Sequence, residues 1–354
     1  MYPRLIISKS KIEENAKKVV KKGEKFGIEI AGVTKVCLGD PNIAECMRRA
    51  GIEILGESRI QNIKRLLREG IKGPFMLLRI PMISELEDVV ELVDYVLVSE
   101  NHVVDNLNEI ARLKGRTVNI IYMVDLGDLR EGVWYENAVD EILKVTCMKN
   151  VRLIGIGTNL GCYGGVLPTV DNLQKLIEIK ETVERRAKDL IEIVSGGSTV
   201  TLKLLEDETI PEGINQLRVG EAIILGTDAT RGRKIPWLND ETIILEAEVI
   251  EVKTKPSVPV GETGFDAFGR KKHFEDKGWR KRAILAIGEQ DIDSMGLHPI
   301  DESLEVLHAS SDHTIVDVTE SNDDYKPGDV IRFKLSYGAL LRAMTSPYVE
   351  KIYV

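Results

Sequence analysis

Histidine, cysteine and clustered basic residues are scarce in this 354-residue chain, and each scarcity narrows its chemistry. The 5 histidines form no HxxxH or HxH pair, so no local motif encodes a metal site. The 4 cysteines, at positions 37, 46, 147 and 162, never reach CxxC spacing. That argues against zinc ribbons and dithiol centres and reads as free thiols in a reducing compartment. No basic stripe with interleaved aromatics is present, and the net charge of -9 repels phosphate backbones, so nucleic acid is not an expected partner. No apolar run reaches the ~18 residues of a membrane helix. Residues 1–9 lack the basic region and apolar core of a signal peptide. A cytoplasmic protein without a membrane partner is expected.

What is present suits two domains: 354 residues, 43% of them hydrophobic and 30% charged. Short continuous apolar runs alternate with amphipathic stretches over the first two-thirds. Strands are expected at 30–34, 52–55, 75–78, 95–98, 119–124, 152–155, 192–194 and 216–218. Helical spacing marks 42–50, 60–69, 84–93 and 173–190, the last with apolar residues at 173, 176, 177, 183, 187 and 190. About eight such units suggest a (β/α)8 TIM-type barrel over residues 1–230, although a doubly wound open sheet shares the pattern. TRGRKIP (230–236) reads as a linker. Beyond it, runs at 243–253, 282–287, 314–319 and 330–335 between Gly, Pro and Asp clusters predict a C-terminal all-β domain over 231–354.

Lys35 closes the first expected strand. At a barrel mouth, desolvation lowers an ammonium's pKa and frees the amine for Schiff-base chemistry; a rim lysine pointing to water is the plainer reading. SGGST (195–199) and RVGEA (218–222) follow the seventh and eighth strands, where barrels favour phosphate. Arg130 and Asn159 lie at the exits of the fifth and sixth strands, placed to orient a ligand or to cap loops.

These residues resemble the alanine racemase-like, barrel-type pyridoxal-phosphate (PLP) enzymes, nearest to an alanine/ornithine racemase subfamily. VTKVCLGDP (33–41), MVDLGDLREG (123–132), GIGTNLGCYGG (155–165) and LRVGEAI (217–223) carry the likeness in the barrel. PSVPVGETGFDAFG (256–269), RKRAILAIG (280–288) and YGALLRAMTS (337–346) carry it beyond. The resemblance implies a head-to-tail homodimer in which the β domain of one subunit completes its partner's active site. It implies pyridoxal 5'-phosphate on Lys35, with Arg130 near the phenolic oxygen and substrate carboxylate, and Asn159 against the ring. Ser198, Thr199, Gly220 and Glu221 fall at phosphate-binding positions, the last two through backbone N–H, and Tyr337 is a further cofactor-site candidate. Arg218 falls where the racemase branch sets an arginine against the ring nitrogen and the decarboxylase branch a carboxylate. Arginine has no proton to give at neutral pH, which suits brief α-proton removal and return.

Two departures stand out. Glu289 occupies the position of the usual catalytic tyrosine, so it is the first candidate for the second base, with Ser311 the second and His313 another. Met123 replaces a supporting modified lysine. Asp291 and Asp312 match positions that hold a distal ammonium, which points to ornithine or lysine as the small-molecule substrate. The expected activity is racemisation of a basic amino acid, with broad specificity left open. A PLP decarboxylase is the alternative, as is a non-catalytic PLP homeostasis protein whose signature GESRIQN (56–62) resembles. A metal-dependent PLP aldolase is disfavoured by the sparse histidines.

Overall fold

In the computed structural model, which describes residues 1–188, 191–271 and 273–354, eight parallel strands close into a barrel. In chain order they are Glu29–Val33, Leu55–Glu57, Phe75–Leu77, Tyr95–Val98, Val118–Asp125, Val151–Thr158, Ile193–Ser195 and Gln216–Val219. Each pairs with the next, and the eighth returns to the first through Gln216 opposite Glu29. The expected fold class is therefore the one adopted, and the open-sheet alternative is excluded by that closing pair. Ala31, Ile54, Met76, Leu97, Ile121, Met123 and Ile154 fill the barrel as one apolar cluster. Met123 thus serves as core, with its sulfur only 3.2 Å from where a side chain at Gly157 would begin.

The helices between strands start where local chemistry lets them. Asp40 accepts from the N–H groups of Asn42 and Ile43, and Pro41 presets the first turn of the helix Pro41–Arg49. Thr169 and Asn172 form a reciprocal capping box, so the helix expected from 173 begins at Val170. It buries Leu173, Leu176, Ile177, Ile179 and Val183; Ala187 is half-buried, and Leu190 lies outside the described residues.

The domain boundaries differ from those expected. The chain divides into Lys9–Asn239 and a second unit made of Met1–Ser8 with Asp240–Val354. The reason is one strand the apolar pattern was too short to reveal. Arg4–Ile7 runs antiparallel to Ile243–Glu246 and parallel to Glu350–Tyr353. The supposed linker is also built in. Thr227–Asp228 pairs with Arg233–Lys234, Arg233 bonds Glu206 at 2.8 and 2.9 Å, and Ile235 is buried. The second unit is an eight-stranded sheet, antiparallel save for the Arg4–Ile7 pairing with Glu350–Tyr353, and carries a helix, Tyr337–Thr345. No described helix is long and apolar enough to cross a membrane.

Leu5 and Ile7 are both 0% exposed. Leu5→Ala should lower the stability of the second unit by about 3 kcal/mol, read from its urea transition. An unshifted transition would show that the amino-terminal strand is not part of that core.

Candidate active site

Lys35 begins a short 3-10 turn, Lys35–Cys37, directly after the first barrel strand. It is half-buried at the mouth. Burial pushes its amine below the ordinary lysine value, and the Arg130 charge pushes further in the same direction. Cys162 and Glu131 oppose this, and Arg218 reinforces it. The amine therefore gives up its proton more readily than a lysine in solvent.

Arg218 lies on the eighth strand and is buried. Its guanidinium donates to Ser195 Oγ at 2.5 Å, to the Ser195 carbonyl at 3.5 Å and to the Thr158 carbonyl at 2.7 Å. Ser195 Oγ in turn donates to Gln216 Oε1 at 3.1 Å. Burial pushes the guanidinium down to about 10, which still leaves it a cation at neutral pH. A charge held by fixed dipoles inside a barrel is preorganised, because no water must reorient around it.

The exits of the fifth and sixth strands are tied together. Arg130 pairs with Glu131 and donates to Cys162 Sγ at 2.6 Å. The Asp128 carboxylate, 1% exposed, accepts backbone N–H groups from Cys162, Tyr163 and Val166 at 2.9–3.2 Å. Asn159 follows the sixth strand, and its Nδ2 is buried with no partner among the described residues. The Thr158 hydroxyl is likewise unpartnered.

The two glycine segments meet. Thr199 Oγ1 accepts the Ala222 N–H at 3.2 Å, joining the loop after the seventh strand to the helix start after the eighth. Ser198 makes no capping bond with its side chain. Gly197 has φ +112, and a side chain at Gly220 would begin 2.9 Å from the Val33 carbonyl, so both positions require glycine. The Glu221 carboxylate turns to Thr227 Oγ1 and the Ala229 N–H. Its backbone alone remains for an anion.

The candidates of the second unit separate into engaged and open groups. Glu289 is 7% exposed at its side chain and accepts from Ser294 Oγ at 2.6 Å, Arg342 at 3.0 Å and Arg270 at 3.5 Å. Asp291 is buried and accepts Ser346 Oγ at 2.6 Å beside a cavity of about 440 Å³ lined by Gln290, Leu341, Arg342 and Tyr348. Ser311 and Asp312 are exposed, with the hydroxyl donating to the carboxylate at 2.7 Å; His313 is exposed too. Tyr337 opens the helix Tyr337–Thr345. The sequence reading did not single out Asp128, Cys162 or Ser195, whose roles arise from partners 23 to 38 residues away.

A family model described as "Alanine racemase, N-terminal domain" matches residues 7–228. The chain is 58% identical over 353 residues to a lysine racemase of Thermotoga maritima, covering 100% of this chain and 99% of that one. It is 44% identical over 352 residues to an ornithine racemase of Acetoanaerobium sticklandii, covering 99% of each. Among solved structures, the alanine racemase of Clostridium difficile 630 superposes with a TM-score of 0.74 at 17% identity, over 99% of this chain and 95% of that one. The alanine racemase of Streptomyces lavendulae gives 0.75 at 17%, over 100% and 98%. At that identity the structures speak for the fold.

Asp128→Ala should free the 161–166 loop. We expect a stability loss of about 3 kcal/mol, since several N–H bonds to one buried carboxylate disappear. Chymotrypsin cleavage after the exposed Tyr163 should rise several-fold. Unchanged cleavage would mean that Asp128 does not hold the loop.

Proposed function

The chain belongs to the alanine racemase family, and from that premise we propose that it is a PLP-dependent racemase of lysine or ornithine. The observation that carries this reading is the half-buried Lys35 amine at a barrel mouth, depressed by burial and flanked by Arg130.

The residues present fit pyridoxal 5'-phosphate. Among the described residues, Asn159 Nδ2 is a buried donor lacking a partner, which a bound ring compound would explain. Lys35 would hold the cofactor's carbonyl carbon, and Ser198, Thr199 and the N–H groups of Gly220 and Glu221 its phosphate. Arg218 would face the ring nitrogen, Asn159 the ring and Arg130 the phenolic oxygen. When bound, the group supplies the electron sink that makes an amino acid's α-proton removable.

The chain's own groups then move the proton. Lys35, whose amine burial makes easier to deprotonate, takes or returns it on one face. Arg130 holds the substrate carboxylate. Arg218 stays charged and gives no proton, which favours racemisation over decarboxylation.

Racemisation needs a second group on the opposite face, which we assign to the β domain of a second copy. Glu289 is held by three partners, so the open Ser311, bonded to Asp312, takes the role first expected of Glu289. Asp291 and Asp312 offer negative charge for a distal ammonium. The head-to-tail dimer draws support from exposed aromatic side chains. Phe265, Phe268 and Phe274, three of the chain's 6 phenylalanines, are exposed together with Trp279.

The PLP-loaded chain in D2O should convert L-lysine and L-ornithine to their D forms with deuterium at Cα, at least about tenfold faster than L-alanine, as a counter-charge for the distal ammonium implies. Lys35→Ala should abolish turnover and the visible cofactor absorbance. Wild-type rates in that variant, or preference for alanine, would overturn the proposal. Ser311→Ala should lower kcat about 100-fold in both directions. An unchanged kcat returns the role to Glu289.

A further inference from the structure

The segment GESRIQN (56–62) has no part in the assignment above. Its Glu57 ends the second barrel strand and is 0% exposed. A carboxyl group so placed is costly unless donors surround it. Three do. Thr34 Oγ1 donates at 2.5 Å, Asn62 Nδ2 at 2.8 Å and the Ser58 N–H at 3.3 Å. Burial pushes the Glu57 carboxyl up, these three bonds pull it down, and the Lys35 charge pulls the same way.

The link between them is Thr34, the residue before Lys35. Its N–H donates to the Gly56 carbonyl at 3.1 Å. Its carbonyl accepts from Cys37 at 3.0 Å and Gly39 at 3.3 Å, closing the turn that begins with Lys35. Its hydroxyl is spent on Glu57. Every hydrogen-bonding group of Thr34 is thus engaged, and two of these ties run to the pair Gly56–Glu57. Asn62, on the helix Ile60–Arg68, anchors the other carboxylate oxygen.

We propose that Glu57 is a positioning residue for the Lys35 amine: through Thr34 it fixes the backbone from which Lys35 projects, and Asn62 holds Glu57 in turn. The inference rests on the reading that Lys35 carries the chemistry. A small misplacement of a reacting group is enough to slow a reaction about 100-fold, whereas substrate binding elsewhere is untouched.

The test uses the full-length chain and two readouts. One is the rate at which added PLP becomes attached to Lys35 (amine plus aldehyde, one water lost), followed by visible absorbance and by peptide mass after borohydride reduction. The other is the split between kcat and KM. Thr34→Val keeps the shape and removes the hydroxyl, and Glu57→Gln keeps the shape and removes the charge. Both should slow attachment and lower kcat about tenfold or more while KM stays within about twofold. Thr34→Ser, which keeps the hydroxyl, should restore most of the lost rate. If Glu57→Gln does not fold, the Thr34 pair decides. A fall in melting temperature alone, with attachment and kcat unchanged in Thr34→Val, overturns the inference and leaves Glu57 a purely structural group. A wild-type chain that attaches no PLP at Lys35 overturns the functional reading, and this inference with it.

Discussion

A lysine amine withdrawn from water beside guanidinium groups loses its proton more readily than one in solvent, and this penalty on a positive charge organises the site. Lys35 receives it from burial first and from Arg130 and Arg218 next. The barrel makes the penalty possible. An apolar cluster from Ala31 to Ile154 blocks the interior, so the mouth is a floor of low polarity on which few charges are held at fixed places.

Those few charges have partners within the protein. Arg218 is bound by Ser195 and the Thr158 carbonyl, and Arg130 by Glu131 and Cys162. Asp128 holds the sixth exit loop against the fifth. Among the described residues, the Thr158 hydroxyl and Asn159 Nδ2, at the exit of the sixth strand, are left without partners. Fully engaged groups around a few unengaged ones form a receptor set before its ligand arrives, which reduces the entropy lost on binding.

Much of this was legible in the sequence, because doubly buried strands are runs of apolar residues and barrel chemistry gathers at their ends. Lys35 and the two glycine segments were singled out that way, and Arg218 by its place in a family motif. The second strand was expected at 52–55 and runs through Leu55–Glu57. Gly56 and Glu57 end the apolar run, yet Glu57 is buried because Thr34 and Asn62 satisfy it. Arg4–Ile7 escaped notice because its partners lie about 240 and 345 residues away in sequence, and four residues carry too little periodicity. Residues 230–236 looked like a linker from their glycine and proline; the Glu206–Arg233 pair that orders them is a contact no local pattern encodes. Glu289 was favoured by its position in a motif, and only coordinates reveal the two arginines and the serine that occupy it.

The most direct measurement of the central claim is the titration of the Lys35 amine itself. Lysines of the PLP-free chain carry 13C-methyl labels, and the Lys35 signal is assigned by its absence in Lys35→Arg. The account predicts that this signal titrates below the other lysines and moves back towards them in Arg130→Ala. A Lys35 signal that titrates with the exposed lysines, unmoved by loss of Arg130, would contradict it.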